Sequence, residues 1–350
     1  MKRIALCVLF FAFCAVFGFT QSDLQPAAIV KLTKSEPITV KQFRTEVERM
    51  EKGMGRTLTE SEKKQVLDAM IDERLVLQAA ERDKITVAES EVNQQIQQLK
   101  DGLSQQAGRQ ITDAEFARAI REETGQDMPA FREQSRKQLI IRNYLLAKKQ
   151  HLFENMKEPT EAEIQDKYKM TEVQFIRPET VRLSYIGVPF GPDKIKAKEL
   201  ADKLYRDVGS NSSKFNEVAL KGQIANSGYQ SGDAGYLPRR PEVQAIYGED
   251  FIRTAFALRL DEVSKMMEIS GGGQFSGFVF VKATESYTRK FLDLDDIYQL
   301  GIPMTVREYI RYALFQEKQQ TVIAQATEEI RTDLRSGGKS FEIFNRNLGW

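Results

Sequence analysis

Apolar residues recur with helical spacing through most of the first half of the chain. After Thr59, apolar side chains fall on one side of a helix and charged side chains on the other. The apolar positions of this segment are Val66, Leu67, Met70, Ile71, Leu75 and Leu77. A helix that begins near Pro129 and reaches Phe153 is predicted to be the longest of this part. The pattern predicts a mainly helical N-terminal region.

Six short stretches fit the capping box, in which a threonine hydroxyl and a Glu or Gln three residues later satisfy each other's backbone N–H groups. They are Thr39 to Gln42, Thr59 to Glu62, Thr86 to Glu89, Thr112 to Glu115, Thr160 to Glu163 and Thr305 to Glu308. Each precedes a helix-like pattern, so each predicts a helix start.

The pattern changes near Arg177. Residues 181–190 are rich in β-formers, 194–208 and 214–220 are helical, and 248–258 is helical again. Strand-like segments lie on both sides of Ser270. This mixture predicts an α+β domain of about 105 residues, an ordinary domain size.

A long amphipathic helix is predicted from Thr305 to about Arg335. A helix of this length with one apolar face requires a partner surface. We expect it to dock on the N-terminal helices.

The stretch QSGDAGYLPRR, residues 230–240, allows two interpretations. Two glycines beside two arginines are compatible with a phosphate-binding loop. However, the stretch lacks both the Gly-Lys-Ser/Thr ending of a P-loop and the spacing of a dinucleotide fingerprint. A structural turn, with Gly232 and Gly235 in conformations that other residues avoid, is the favoured interpretation.

Composition narrows the functional classes. With 51 basic and 50 acidic residues in 350, the chain lacks the basic excess of a dedicated nucleic-acid binder. The only histidine, His151, has no second histidine with which to form a zinc site or a Ser-His-Asp triad. No cofactor motif is present in the sequence, and we predict no cofactor and no metal.

The chain begins with a basic head and an apolar run at residues 4–19, which is typical of a secretory signal peptide. An uncleaved membrane anchor is the alternative. Both cysteines, Cys7 and Cys14, lie in this run, so the exported protein has no disulfide. We expect a periplasmic protein with no stable membrane span after cleavage.

The segment from Val181 to about Glu285 resembles a parvulin-type peptidyl-prolyl isomerase domain. SGDAGYL is similar to the family's Gly-Gly-Asp-Leu-Gly-Trp-Phe signature, and DFIRTAFALRLDEVS matches its Phe-x-x-Ala-Phe-x-Leu-x-x-Gly-Glu-Val-Ser stretch. SGFVFVK stands where the family has Gly-Tyr-His-Ile-Ile-Lys.

The resemblance implies positions for the isomerase site and shows where this chain departs from them. Tyr185 and Val279 replace the two family histidines, and Ala225 or its neighbour Ile224 replaces an acidic residue or cysteine; Ser276 is retained. The implied peptide-binding residues are Ala234, Val243, Phe251 and Phe278. The departures predict weak or absent isomerase activity.

The flanks of this segment resemble a SurA-type periplasmic chaperone, in the AAIVKL strand, the following EPITVKQF and the run of helices to about Lys169. The resemblance implies a multidomain fold, mainly α plus α+β, in which one parvulin-like domain is inserted into a helical chaperone module. The implied parts are a signal peptide at 1–22, an N-terminal helical domain at 23–176, a parvulin-like domain at 177–288 and a C-terminal segment at 289–350.

These observations lead to one main hypothesis and two alternatives. The main hypothesis is an ATP-independent chaperone that binds unfolded envelope proteins, by family resemblance outer-membrane β-barrel precursors, in an apolar cleft between the N-terminal helices and the C-terminal helix. Methionines at 50, 54, 70, 128 and 156 suit an adaptable binding surface, or are ordinary core residues. An active peptidyl-prolyl isomerase and an assembly factor with one dedicated partner are the alternatives.

Overall fold

A computed structural model describes residues 23–224, 227–270, 275–336 and 339–348. The predicted signal peptide and Ala225 lie outside the described residues. The chain forms two compact units. Unit 1 comprises Met1–Lys157 together with Lys318–Trp350, and unit 2 comprises Glu158–Glu317. Within the described ranges, no helix has the length and apolar character needed to cross a membrane.

The helices and strands agree with the predicted class, a helical module combined with an α+β domain, which is thereby confirmed. The helices are α1 Val40–Met54, α2 Glu60–Arg82, α3 Glu89–Ala107, α4 Asp113–Thr124, α5 Met128–Lys148, α6 Gln150–Glu154, α7 Glu161–Thr171, α8 Lys194–Val208, α9 Ser212–Gly222, α10 Pro241–Tyr247, α11 Glu249–Ala257 and α12 Val306–Arg335. The strands are β1 Pro26–Val30, β2 Glu36–Thr39, β3 Ile176–Arg177, β4 Thr180–Pro189, β5 Gln230–Pro238, β6 Met267–Ile269, β7 Gly277–Tyr287, β8 Lys290–Phe291 and β9 Phe341–Ile343.

The capping boxes predicted at Thr39, Thr59, Thr112, Thr160 and Thr305 are present. The one predicted at Thr86 is wrong, because α3 begins two residues later than the motif requires. Its N-cap is Ala88, whose N–H donates to Oε1 of Glu91 at 3.1 Å. Val87 packs against the core formed by α3, α4 and α5, and this contact determines the residue at which α3 begins.

The helix predicted from Pro129 to Phe153 is interrupted. Lys149, with φ of −122°, ends α5, and Phe153 belongs to the short helix α6. The Nζ atom of Lys149 lies 3.0 Å from Asp333 and 3.1 Å from Glu329, both near the end of α12. The longest helix of the N-terminal part is therefore α2, with 23 residues against 21 for α5.

Unit 1 combines two segments of the chain that are far apart in sequence. Its sheet has the order β2-β1-β9, all antiparallel, so residues 28–30 pair with residues 341–343. The apolar faces of α1, α2 and α5 pack on this sheet, and Ile330 and Leu334 of α12 join the same core. Arg335 adds ion pairs to Asp72 at 2.6 Å and Asp68 at 3.0 Å. A second core lies among α3, α4 and α5.

Unit 2 contains an antiparallel four-stranded sheet in the order β5-β4-β7-β6. One face packs against α8 and α9, and the other against α10 and α11. A further core joins α7, Leu292 directly after β8, and the first turns of α12, around Ile164, Phe175 and Val306. This core belongs to unit 2, and the domain limits of 177 and 288 stay a prediction.

The stretch 230–240 is not a turn, as the sequence suggested, but mostly the edge strand β5. Leu183 pairs with Gly235 and Ser184 with Asp233, so Ala234 is an extra residue in a β-bulge. Gly235 has φ of +73°, a conformation that favours glycine. The glycine is therefore required, but by a bulge within a strand, and a turn was the wrong interpretation.

Candidate functional site

The first candidate site is a cleft of about 740 Å³ in unit 1. Helices α1 and α2 form two of its walls, and the start of α5 forms a third. We call it the methionine cleft and define its apolar surface by Met50, Met54, Leu58, Val66, Met70 and Phe131. Its volume falls in the range of ordinary ligand pockets, roughly 300–1,000 Å³.

Helical spacing places the apolar residues on the cleft surface. Met50 and Met54 are four residues apart on α1, and Val66 and Met70 are four residues apart on α2, so each pair occupies one side of its helix. Met54 is 52% exposed, whereas Met50 and Met70 are half-buried against the core beneath. The cleft thus offers flexible thioether side chains to solvent above a rigid floor.

Charged residues of both signs surround the apolar surface, and several are held in ion pairs. Arg74 contacts Glu36 at 2.7 Å. Arg56 contacts Glu62 at 2.6 Å, and this hydrogen bond, with those from Thr59, lowers the pKa of Glu62 to about 2. The carboxylate of Glu62 therefore stays ionised at neutral pH and keeps its contact with Arg56.

Two cavities lie where the cleft between the N-terminal helices and α12 is predicted. One, of about 80 Å³, is lined mainly by Leu75, Val76, Ile141, Leu145, Ile330 and Leu334. The other, of about 420 Å³, is lined by Leu32, Arg82, Tyr144, Lys148, Lys149, Ile330, Asp333 and Leu334. Both are smaller than the methionine cleft along α1, α2 and α5, and the location of the binding cleft stays a prediction.

The second candidate site is the face of the unit 2 sheet that packs on α10 and α11, called here the α11 face. Tyr185 of β4, Val279 of β7, Val243 of α10 and Phe251 of α11 all belong to this core. The ring of Phe251 stacks on Tyr247, with centroids 5.3 Å apart. The structure therefore brings together four of the residues named from the sequence.

Phe278 does not belong to this set. It is buried on the opposite face, 5.2 Å from the ring of Phe190, in the core beneath α8. Successive side chains of a strand point to opposite faces, so Phe278 and Val279 cannot serve one site. Phe278 therefore lies apart from the other residues that the sequence assigned to peptide binding.

Two further predicted residues lie apart from the α11 face. Ala234 is the exposed bulge residue of β5. Ser276 is exposed before β7, and its carbonyl oxygen accepts a hydrogen bond from the N–H of Phe190 at 3.1 Å.

Sequence reasoning missed Phe275. Its ring packs on the α11 face beside Gly187 and Gly277, which leave the backbone of β4 and β7 bare. A glycine inside a strand is a signal that another group approaches closely, although it does not say which group.

A polar network explains the residues of the stretch 230–240. Arg182 donates to Asp233 at 2.6 Å and to Glu285 at 2.8 Å, and the hydroxyl of Tyr236 donates to Glu285 at 3.0 Å. Asp233 also accepts from the N–H of Gly235 at 2.8 Å. Arg182 lowers the pKa of Asp233, so the carboxylate that holds the bulge stays charged. The network is a structural brace.

Across the residues that the structure describes, no group of three or more His, Cys, Asp or Glu side chains is placed to hold a metal ion.

Residues 1–145 match the family model of the SurA-like N-terminal domain. The resemblance of the N-terminal part to SurA-type chaperones is thereby confirmed, and the matched residues include the whole methionine cleft.

Curated relatives include proteins named Chaperone SurA. That of Saccharophagus degradans is 26% identical over 249 residues, which cover 68% of this chain and 55% of the relative. That of Hahella chejuensis is 29% identical over 181 residues, covering 51% of this chain and 39% of the relative. The chain spans about half the length of the curated relatives that it matches.

Solved structures give weaker likenesses. One comes from a study of PEB4 and Cj1289, two SurA-like chaperones of Campylobacter jejuni; it is 12% identical, covers 91% of this chain and 99% of its own, and has a TM-score of 0.38. The foldase protein PrsA from Streptococcus pneumoniae is 17% identical, with coverages of 87% and 93% and a TM-score of 0.30.

Proposed function

We propose that this protein is an exported, ATP-independent chaperone that binds unfolded envelope proteins in the methionine cleft. The observation that carries the proposal is an open apolar cleft of about 740 Å³ within the SurA-like N-terminal domain. The relatives named Chaperone SurA support the same assignment.

Methionine suits such a surface because its side chain is unbranched, flexible and polarisable. It adapts to differently shaped apolar groups and is common on promiscuous binding surfaces. The charged rim adds solubility and contacts with polar parts of a client. This combination supports reversible, sequence-tolerant binding.

We assign the protein to the periplasm from the apolar run at residues 4–19, which is typical of a signal peptide. Precursors of outer-membrane β-barrels are the clients we propose. Such precursors expose alternating apolar residues before they reach the membrane.

We assign the α11 face of unit 2 to peptide binding with weak or no isomerase activity. Rotation about a peptide bond crosses a barrier of about 18–20 kcal/mol. The positions where the parvulin family has histidines are occupied by Tyr185 and Val279, and Val279 has no polar group at all. The face therefore lacks the polar set that the family resemblance associates with catalysis.

Active prolyl isomerisation is the alternative, and the stacked pair Tyr247 and Phe251 is the observation that favours it. An apolar aromatic pocket can favour the twisted bond over the planar one. The alternative predicts faster cis–trans exchange of an X–Pro peptide, lost in Phe251→Ala. A rate equal to the uncatalysed one rules it out.

The chaperone proposal is tested by suppression of aggregation of a urea-unfolded β-barrel protein diluted into buffer with the full chain. We expect suppression at stoichiometric chaperone. The double variant Met54→Gln/Met70→Gln, which makes the cleft polar at similar volume, should bind the client about tenfold more weakly, or ~1.4 kcal/mol.

The matched control is Met170→Gln, because Met170 is 82% exposed on α7 of unit 2 and outside the cleft. It should behave as wild type. Absence of suppression by the wild-type chain contradicts the proposed function. Equal behaviour of the cleft variant and the control contradicts the assignment of the binding site.

A further inference from the structure

The ring of Phe275 rests on bare backbone in the α11 face. A Cβ atom added to Gly187 would lie 2.8 Å from Cζ of Phe275, and one added to Gly277 would lie 2.7 Å from the same atom. Contacts this short are not sterically possible, so only glycine at both positions allows the ring to lie where it does. The two glycines form a flat floor fitted to an aromatic ring.

The ring is supplied by a residue outside the sheet. Phe275 precedes β7 and is only partly buried, whereas Val279 and Val281 of the same core are almost completely buried. Phe275 therefore packs on the outside of this core.

The surroundings of this ring are apolar and aromatic. Tyr185, Val243 and Met267 pack partly buried against the same core, and Phe251 with its stacked partner Tyr247 lies on the helix side. Such surfaces favour a flat apolar group in stacked or edge-on contact. The chemistry of the floor thus matches an aromatic side chain and not a charged one.

We propose that the two-glycine floor is a subsite for an aromatic side chain of an extended client, and that Phe275 occupies it in the free protein. This inference rests on the proposed peptide-binding role of unit 2. The ring of Phe275 shows the size and shape of the group that fits. A client gains the subsite only when this ring leaves, so Phe275 is an autoinhibitory contact.

The proposal has a quantitative consequence. When the competent state is only a fraction of the population, the apparent affinity falls by that fraction. Replacing the ring of Phe275 with a smaller side chain removes this reduction in apparent affinity. Phe275→Ala should therefore raise the affinity for a peptide that carries phenylalanine.

A second substitution distinguishes the effect of the two-glycine floor from the effect of the Phe275 ring that covers it. The three atoms nearest to a Cβ on Gly187 all belong to the ring of Phe275, so Gly187→Ala displaces the ring and fills the floor with a methyl group. Gly277 is unsuitable, because its Cβ would also collide with the carbonyl oxygen of Val188.

The experiment titrates the full chain with two fluorescently labelled 12-residue peptides of Ser and Gly, one with two phenylalanines and one with alanines instead. We expect Phe275→Ala to bind the phenylalanine peptide about fivefold more tightly than wild type. The double variant Phe275→Ala/Gly187→Ala should lose this gain, and the alanine peptide should not respond to either change.

Phe291→Ala is the control for aromatic removal, since Phe291 is 61% exposed on β8. Its affinity should equal that of wild type. Thermal unfolding of each variant verifies folding, and Phe275→Leu, which retains most of the volume, replaces Phe275→Ala if the latter unfolds. Leucine should give a smaller gain in the same direction.

Weaker or unchanged binding by folded Phe275 variants overturns the proposal, as does an equal gain for the alanine peptide. Aggregation suppression by the same variants is measured in parallel. If the wild-type chain does not suppress aggregation but Phe275→Ala binds the phenylalanine peptide more tightly, the proposed chaperone function is contradicted and the role of Phe275 is supported. If suppression is present and the peptide result fails, only the role of Phe275 is lost.

Discussion

Gln78 shows how one buried polar side chain connects two elements of unit 1. It is 1% exposed, and its Oε1 atom accepts from the N–H groups of Leu32 at 3.1 Å and Thr33 at 3.0 Å. Its Nε2 atom donates to Glu36 at 3.2 Å. The side chain thereby supplies acceptors to the chain that leaves β1.

Gln78→Leu should destabilise unit 1 by roughly 2 kcal/mol or more, because it leaves two backbone N–H groups without their acceptor. Urea unfolding monitored by circular dichroism measures the loss. Gln65→Leu is the control on the same helix, since Gln65 is exposed, and should change stability by less than about 0.5 kcal/mol. Equal effects would contradict the role given to Gln78.

Asp83 supplies a pH prediction. Hydrogen bonds from Arg82 and then Lys148 lower its pKa to about 2, below the usual value of about 3.9 in an unfolded chain. Because the folded pKa is the lower one, the contribution to stability is present above about pH 4 and is lost as the pH falls towards 2. Lys148→Ala should move the pKa of Asp83 upwards in a carboxyl NMR titration. Lys137→Ala should leave it unchanged.

At this scale the sequence predicted part of the second site. The structure brings Tyr185, Val243 and Phe251 together in one core, and their role in peptide binding stays a prediction. Phe278 and Val279 were both assigned to the site although the period of a strand separates neighbours onto opposite faces. Phe275 was out of reach, because its contact with Gly187 depends on the pairing of β4 with β7.

Among the elements, helix starts were the features best predicted from sequence. A capping box involves residues three apart, so the sequence contains the whole interaction. Thr86 fails where Thr112 succeeds because Val87 is drawn into a core built from α3, α4 and α5, and that packing moves the start of α3. A predicted capping box was absent only where tertiary packing determined the residue at which the helix begins.

Thr112→Ala should destabilise the first turn of α4 by about 1 kcal/mol, since the hydroxyl accepts from the N–H of Glu115 at 3.2 Å. Thr86→Ala should have an effect below about 0.5 kcal/mol, because α3 begins elsewhere. Amide hydrogen exchange across α3 and α4 measures both changes. A comparable loss of protection in the two variants would show that Thr86 does cap a helix.

The edge strand β5 could not be predicted in the same way. Its glycines and aspartate are typical of a turn, and only the pairing with β4 makes them a strand with a bulge. The ion pairs of Arg182 with Asp233 and Glu285 join β4 to β5 and β7, so they depend on contacts far apart in sequence.

For the molecule as a whole, the important fact is that unit 1 is discontinuous in sequence. The last turns of α12 complete the core formed by α2 and α5, with Leu334 at 8% exposed. Periodicity indicated that α12 needs a partner surface, and the N-terminal helices expected there do pack against its last turns. Periodicity did not locate the methionine cleft, which arises from the relative placement of α1, α2 and α5.

Leu334→Ala should destabilise unit 1 by roughly 2–5 kcal/mol, through lost burial and the cavity that remains. Ile323→Ala, on the same helix and 47% exposed, should cost much less. Differential scanning calorimetry can follow the transitions of the two units. A Leu334→Ala variant whose unfolding matches that of Ile323→Ala would contradict the packing described for α12.

The pairing of β1 with β9 has a consequence for the order in which the two units fold. The N–H of Lys31 donates to the carbonyl oxygen of Ser340 at 2.7 Å. The sheet that contains β1 is therefore completed only when β9 is available. Bringing the distant segments β1 and β9 together is slow, whereas all of unit 2 precedes β9 in the sequence and is synthesised before it. We expect unit 2 to fold first and the methionine cleft, which lies on the core that Ile330 and Leu334 complete, to mature last. For the proposed chaperone, a chain that is still emerging would then have no finished cleft with which to retain a client.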